Sequence, residues 1–287
     1  MRLVVLMGGS SSEREVSLRS GRAVAKALRE LGHEVYELEP DGRLCKRIEE
    51  LKPDKVFIAL HGRPGEDGTV QGALELMGVP YTGSDAVTSA LCIDKDFTKA
   101  VALKLGVKTP RWEVFTPDRR PVWERFPAVV KPAREGSSLG LKVVGGPEEL
   151  KKALDELLKT RDKVLVEEFI EGSDYTVGLL KGKPLPVIRV EPKKGLYDYE
   201  SKYTKGLTEY FFEEGELARR LQELALKLWE ALGLRDFARI DFRVSPEGEP
   251  YFLEVNTIPG LTETSLLPMA AAKAGIDFKK LIDIIIS

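Results

Sequence analysis

The sequence predicts an α/β and α+β chain: a doubly wound parallel α/β unit at the N-terminus, then smaller mixed modules. Three observations carry this. Apolar runs alternate with helical patterns through about residue 93, a series of prolines then marks a change of style, and short strand patterns with tight turns fill most of the rest. Residues 2–7 (RLVVLM) are a continuous apolar run ended by Gly8-Gly9. Ser12 with Glu15 three later is a capping-box signature, and Val16, Ala23, Val24, Ala27, Leu28 and Leu31 recur at helical spacing until Gly32. Residues 33–38 and 55–60 read as the second and third strands, and residues 69–77 as a helix. From Lys95 a helix runs to Gly106, and Pro110, Pro117, Pro121 and Pro127 follow. Strand patterns then occupy residues 128–131, 141–144 and 163–167, with a charged helix over 147–158. Further strands at 175–180 and 185–190 lead to a polar aromatic loop at 197–206 and a long helix at 216–232. Two strands, 238–244 and 250–255, precede a terminal helical region.

At 287 residues the chain has a prior of about two domains, with one or three open, and no need of staples for its core. Its 44 basic residues balance 46 acidic ones, which argues against a dedicated nucleic-acid binder, and 43% hydrophobic content argues against disorder. Cys45 and Cys92 alone make neither a disulfide framework nor a zinc set, so the expectation is a reduced, cytoplasmic protein. The apolar runs at 3–7 and 281–286 are too short for a signal core or a membrane span. Asn256, Gln71 and Gln222 are its only amide side chains amid abundant charge, a pattern of hot habitats; a melting midpoint below about 60 °C would count against that reading.

The segment ARIDFRVSPEGEPYFLEVN holds two strand patterns around a turn at 246–249. With the turn centred between Glu247 and Gly248, Asp241 lies opposite Glu254 and Arg239 opposite Asn256, all on one face, while Ile240, Phe242, Leu253 and Val255 take the other. Carboxylates facing each other repel, so a cation between them is expected, and the hard oxygens of Asp, Glu and Asn suit Mg²⁺ or Mn²⁺ and not zinc. The alternative is a solvated face in which Arg239 neutralises both acids. In AVVKPAREGSSLGLKVV, Lys131 ends a strand and the glycine-serine loop 134–140 offers backbone N–H groups and hydroxyls to phosphate; a plain hairpin turn is the alternative. Neither a Walker-type loop nor a G-x-G-x-x-G is present.

Residues 8–17 and 61–68 follow parallel strands, the edge where open α/β sheets bind ligands, so Glu13 and His61 can face one crevice. There Glu13 can hold an ammonium group and His61 orient a hydroxyl; a helix-terminus charge and a satisfied loop histidine are the alternatives. The loop from Tyr197 to Tyr203 reads as a lid with Lys202 reaching a phosphate, or as a surface loop of packed tyrosines. Residues 167–170 can present backbone groups to an adenine ring.

Together GGSSSEREVSLRSG (8–21), ALHGRPGEDGTVQGALELMGVPYTGS (59–84), KPAREGSSLG (131–140), YDYESKY (197–203) and ARIDFRV with LEVNTIPGLTETSLLP (253–268) closely resemble the D-alanine:D-alanine ligase family of ATP-grasp carboxylate-amine ligases. The resemblance spans nearly the whole chain. It implies a substrate domain at 1–93 and a two-domain ATP-grasp fold at 94–168 and 169–287. It further implies a homodimer acting on D-alanine and ATP, with no nucleic-acid or membrane partner. Glu13, Val16, Ser17 and His61 would hold the first D-alanine, and Ser265 and Leu266 the second. Arg239 and the Gly260 N–H would stabilise the oxyanion, and Ser137 and Tyr203 would link the pocket of Glu13 to the lid. On the ATP side the resemblance implies Lys95, Lys131, Lys202, Asn256, the loop residues Glu135, Gly136, Ser137 and Ser138, and the adenine segment Glu167, Glu168, Phe169 and Ile170. Asp241, Glu254 and Asn256 would hold two Mg²⁺ (or Mn²⁺) ions. Asp174 stands at the ribose position where the family usually has Glu, and Glu168-Phe169 where some relatives carry Lys and Trp. Tyr203 matches the dipeptide-forming type, which points to an amine as second substrate. Two readings compete: an ATP-grasp ligase for another acid and amine, and a ligand-binding regulator that kept the fold and lost turnover. Glu13 and residues 262–266 decide the first, because they set the amino-acid pockets, and ADP release that depends on D-alanine excludes the second.

Overall fold

The computed structural model describes residues 1–136, 139–193 and 207–287. Strands β1 (Arg2–Leu6), β2 (Glu34–Leu38) and β3 (Lys55–Ile58) form a parallel sheet in the order β2-β1-β3. Helices α1 (Arg14–Glu30), α2 (Leu44–Leu51), α3 (Thr69–Leu76) and α4 (Ala86–Cys92) connect and follow these strands. The end of α1 needs glycine: Gly32 has φ +84°, and there the Gly32 and His33 N–H groups turn back to the Arg29 and Leu28 carbonyls. Its start differs from the capping-box expectation. Glu13 is the N-cap, without a side-chain cap bond, and Ser11 Oγ accepts the Glu13 N–H while donating to the His61 carbonyl at 2.6 Å. That serine ties the loops after β1 and β3 together.

Helix α5 (Lys95–Lys104) leads into an antiparallel sheet of β4 (Trp112–Phe115), β5 (Ala128–Pro132), β6 (Lys142–Val144) and β7 (Val164–Glu168), ordered β4-β7-β5-β6. Period two divides its faces. Ala128, Val130, Val164 and Val166 pack with Leu150, Ala153, Leu154 and Leu157 of α6 (Pro147–Leu157), so Lys131 and Glu167 take the opposite face.

The third sheet is antiparallel, ordered β11-β10-β8-β12-β13 with β9 beside β8. Its strands are β8 (Ser173–Leu180), β9 (Lys183–Pro184), β10 (Val187–Pro192), β11 (Thr208–Glu213), β12 (Phe237–Val244) and β13 (Pro250–Asn256). Helix α7 (Gly215–Leu232) places Leu221, Ala225 and Leu228 in a core with Val177, Ile240, Phe242 and Phe252, and α5 adds Ala102. Helices α8 (Leu266–Lys273) and α9 (Phe278–Ile286) join the core of the first sheet, where Leu281, Ile282 and Ile285 are wholly buried with Leu3, Val5 and Leu28. No helix among the described residues is long and apolar enough to cross a membrane.

Candidate active site

The β12–β13 hairpin carries the densest polar cluster. Arg239 pairs with Asn256 and Asp241 with Glu254, as the sequence predicts, and Ile240 pairs with Val255. A register shift follows Asp241, so that Phe242 faces Phe252 and Leu253 is the extra residue. Leu253 therefore lines the cleft beside Glu254, and the expectation that it faces the core is corrected: Phe252 takes that place. Arg239 grips Asp241 with two bonds of 2.9 and 2.8 Å, Thr176 Oγ1 donates to Asp241 at 2.6 Å, and Asn256 Nδ2 donates at 3.1 Å. Lys95 Nζ lies 3.0 Å from Glu254 and donates to the Glu135 carbonyl at 2.8 Å. Arginine thus neutralises one of the two acids and lysine the other.

One cleft runs from this cluster between the two antiparallel sheets. Lys95, Lys131, Glu135, Asp174, Asp241 and Glu254 line it with the apolar Val129, Leu141, Phe169, Ile170 and Leu253. Lys131 Nζ sits 2.5 Å from Glu167, whose other oxygen takes Lys99 Nζ at 2.7 Å. The Glu167 side chain is therefore held between two lysines at the wall of the cleft. Asp174 pairs with Arg243 at 3.0 Å, and that guanidinium also donates to the Ile170 carbonyl and stacks over Phe169.

A second, adjoining crevice is lined by Glu13, Val16, His61, Glu66, Gly136, Arg239, Asn256, Gly260, Ser265 and Leu266, and Leu266 borders both spaces. Burial lowers the pKa of His61 against the pull of Glu13, so the imidazole is neutral; its Nε2 shares a 3.3 Å hydrogen bond with Ser20 Oγ, which accepts the Leu261 N–H. Burial and the charge of Glu13 push the Glu66 carboxyl up to about 8, although it accepts the Gly62 N–H at 2.7 Å. Gly136 closes on Glu13 so tightly that a Cβ there would lie 3.1 Å from a carboxylate oxygen. A Cβ on Gly260 would lie 2.8 Å from Ser265 Oγ, which accepts the Thr262 N–H.

Most expected residues therefore converge on two joined spaces. Ser17 does not: it is wholly buried, accepting the Gly8 N–H and donating to the Ala59 carbonyl, so it braces the loop beneath the crevice. Glu168 borders the first cleft but also accepts the Arg111 N–H at 3.2 Å. Ser137, Ser138, Lys202 and Tyr203 lie outside the described residues. Sequence reasoning missed Glu66, Lys99, Thr176 and Arg243. Two of these had a signal: Arg243 follows Asp241 at period two, and Lys99 follows Lys95 by one helical turn.

Comparison with known proteins decides the family. The model described as "D-ala D-ala ligase C-terminus" matches residues 105–287, and "D-ala D-ala ligase N-terminus" matches 43–84. A D-alanine--D-alanine ligase of Aquifex aeolicus is 62% identical, with 100% of both chains covered. The chain belongs to the D-alanine--D-alanine ligase family. Among solved structures, the D-alanine--D-alanine ligase of Bacillus anthracis superposes with a TM-score of 0.90 at 36% identity, covering 100% of this chain and 96% of that one. The same protein complexed with ATP gives 0.87 at 34%, with the same coverage. As in those family members, α/β and antiparallel modules form an ATP-grasp fold. The two joined spaces described above thus lie in an ATP-dependent ligase.

Proposed function

We propose that the two spaces hold ATP and two D-alanines, and that the chain joins the amino acids through a D-alanyl phosphate to give D-alanyl-D-alanine, ADP and phosphate for peptidoglycan precursors. One observation supports this best: Glu13, His61, Arg239, Gly260 and Leu266, from both ends of the chain, meet in one crevice that opens beside the cluster of Lys95, Asp241 and Glu254. In our reading Glu13 takes the ammonium of the first D-alanine, with Val16 and neutral His61 forming its wall. The carboxylate of that D-alanine attacks the γ-phosphate of ATP in line and ADP leaves, while Lys95 and Lys131 offset the charge on the phosphates. Phe169, Ile170 and the backbone of residues 167–170 hold the adenine, and Asp174 the ribose. The amine of the second D-alanine, positioned by Ser265 and Leu266 and deprotonated, then attacks the acyl carbon. Arg239 and the Gly260 N–H stabilise the resulting oxyanion until phosphate leaves. Ser137, Ser138, Lys202 and Tyr203 keep the roles the resemblance implies.

The donor set fits the two Mg²⁺ (or Mn²⁺) ions expected. Asp241, Glu254 and Asn256 offer hard oxygens on one sheet face, and because Asn256 donates through its Nδ2, its Oδ1 is the atom left to ligate. Arg239 and Lys95 only balance the two carboxylates, so a polyphosphate entering the cluster needs further positive charge. When bound there, divalent ions supply Lewis-acid neutralisation of phosphate oxygens. We also propose three domains at 1–93, 94–168 and 169–287, and a homodimer working in the cytoplasm without nucleic acid or membrane. The test is ADP release with ATP and Mg²⁺ in the presence of D-alanine, L-alanine, D-alanine plus D-lactate, or no amino acid, with products identified by mass. D-alanine-dependent ADP release with a dipeptide is expected. Nucleotide binding without stimulation by D-alanine overturns the substrate assignment.

A further inference from the structure

Lys99 is wholly buried, yet it points a charged group at the wall of the nucleotide cleft. It lies one helical turn beyond Lys95 on α5. In the sheet register Trp112 is opposite Glu167, Glu167 is opposite Val129, and Lys131 is two residues beyond Val129, so Trp112, Glu167 and Lys131 share the face that receives Lys99. Lys99 Nζ is 2.7 Å from Glu167 Oε2 and 5.1 Å from the centre of the Trp112 ring, while Lys131 Nζ is 2.5 Å from Glu167 Oε1. Lys131 and Glu167 border the cleft and Lys99 does not.

The charge balance of this wall depends on Lys99. A buried Glu167 paired with Lys131 alone would cancel the lysine and hold it back from an anion. With two lysines on one carboxylate, the trio keeps one net positive charge, and only Lys131 can show it to the cleft. For stability alone a wholly apolar cluster at positions 99, 131 and 167 would serve, since a buried ion cluster is replaceable as a whole by well-packed hydrophobic groups at little or no loss, whereas removing one partner is costly. We propose that Lys99 is a positioning residue for nucleotide binding: by engaging one oxygen of Glu167 it fixes the Lys131 side chain and keeps its charge available to the phosphates of ATP. This rests on the reading of Lys131 as a phosphate contact. The protonation states agree. Burial lowers Lys99 to about 8, leaving it charged at neutral pH, and although burial raises the Glu167 carboxyl, Lys131 and Lys99 outweigh that and hold it below the usual range.

The experiment is calorimetric titration of the full chain with ATP and, separately, with adenosine, at pH 7 without amino acid. Lys99→Met is expected to weaken ATP binding by roughly tenfold, the size of one charge-assisted contact, and to change adenosine binding by less than about twofold. Lys99→Gln, which keeps a donor on Glu167, carries the same expectation should the methionine variant not fold. Adding Glu167→Gln to either variant is expected to restore most of the ATP affinity, because Lys131 then faces no carboxylate. Damage that is equal for ATP and adenosine, or a double variant weaker than its parent, overturns the proposal. Lys131→Met separates the two levels. If it leaves ATP affinity unchanged, the phosphate reading of Lys131 fails and the proposal with it; if it weakens ATP while neither Lys99 variant does, the proposal alone fails.

Discussion

Glu66 and Glu13 wall the same crevice as buried His61, so each charge there depends on its neighbours. The Glu66 carboxyl ionises at about 8 in the folded protein, well above the ordinary glutamate value of 4.5. Between those values the folded state holds a proton that the unfolded state has lost, so this group makes stability fall as pH rises, from about pH 5 until about pH 8. Glutamine at this position does not titrate. Melting curves of wild type and Glu66→Gln across pH 5 to 8.5 are expected to show the variant gaining relative to wild type as pH rises; parallel curves would refute the assignment. Glu254 is tested differently. It faces Asp241 across the hairpin, and Glu254→Gln keeps its shape while removing the charge proposed to bind metal. Turnover is expected to fall by roughly a thousandfold with an unchanged circular dichroism spectrum, and near-normal activity would sink the metal assignment.

In the β12–β13 hairpin a single extra residue decides which side chains line the cleft between the antiparallel sheets. The bulge lets Leu253 and Glu254 both line the cleft, where strict alternation would send one of them to the core. Leu253→Ala removes apolar surface worth about 1–2 kcal/mol if it covers the adenine. Binding of ATP and of adenosine is expected to weaken equally, by roughly five- to thirtyfold, which titration with both ligands measures; loss confined to ATP would argue against an adenine contact. The register at Asp241 and Glu254 was legible in the sequence because period two and one turn suffice to set it. The bulge was not, because alternation carries no mark of an inserted residue. Ser17 was misplaced for a related reason: a motif shows a hydroxyl in the right loop but not that the Gly8 N–H and Ala59 carbonyl consume it. The edge strands β4 and β11 left little pattern, since each buries few side chains: in β4 only Phe115 is fully enclosed. Lys99 and Glu66 gain their meaning from partners distant in sequence, Glu167 and Glu13, which only the folded chain brings near.

At the scale of the molecule, the two ends of the chain are joined in one core. Helix α9 lies against α1, and Leu281, Ile282 and Ile285 are as buried as Leu3 and Val5 of the first strand. Lys55 at the start of β3 reaches the Ile286 carbonyl at 2.6 Å. This closure matters for the site, because Glu13 and His61 follow the first sheet whereas Gly260 and Ser265 precede α8, and the crevice exists only while both are held together. The short apolar run at the C-terminus is thus a core element. Ile282→Ala leaves a cavity where both ends meet and is expected to cost about 2–5 kcal/mol, although the residue lies outside both ligand spaces. For a chain of this size that lowers the melting midpoint by roughly 4–15 °C. Val87, 70% exposed on α4, offers the contrast: Val87→Ala is expected to change stability by less than about 0.5 kcal/mol. Scanning calorimetry of both variants checks this. Similar small shifts for both would mean that α9 is not part of the cooperative core, and the crevice would then need another explanation for its closure.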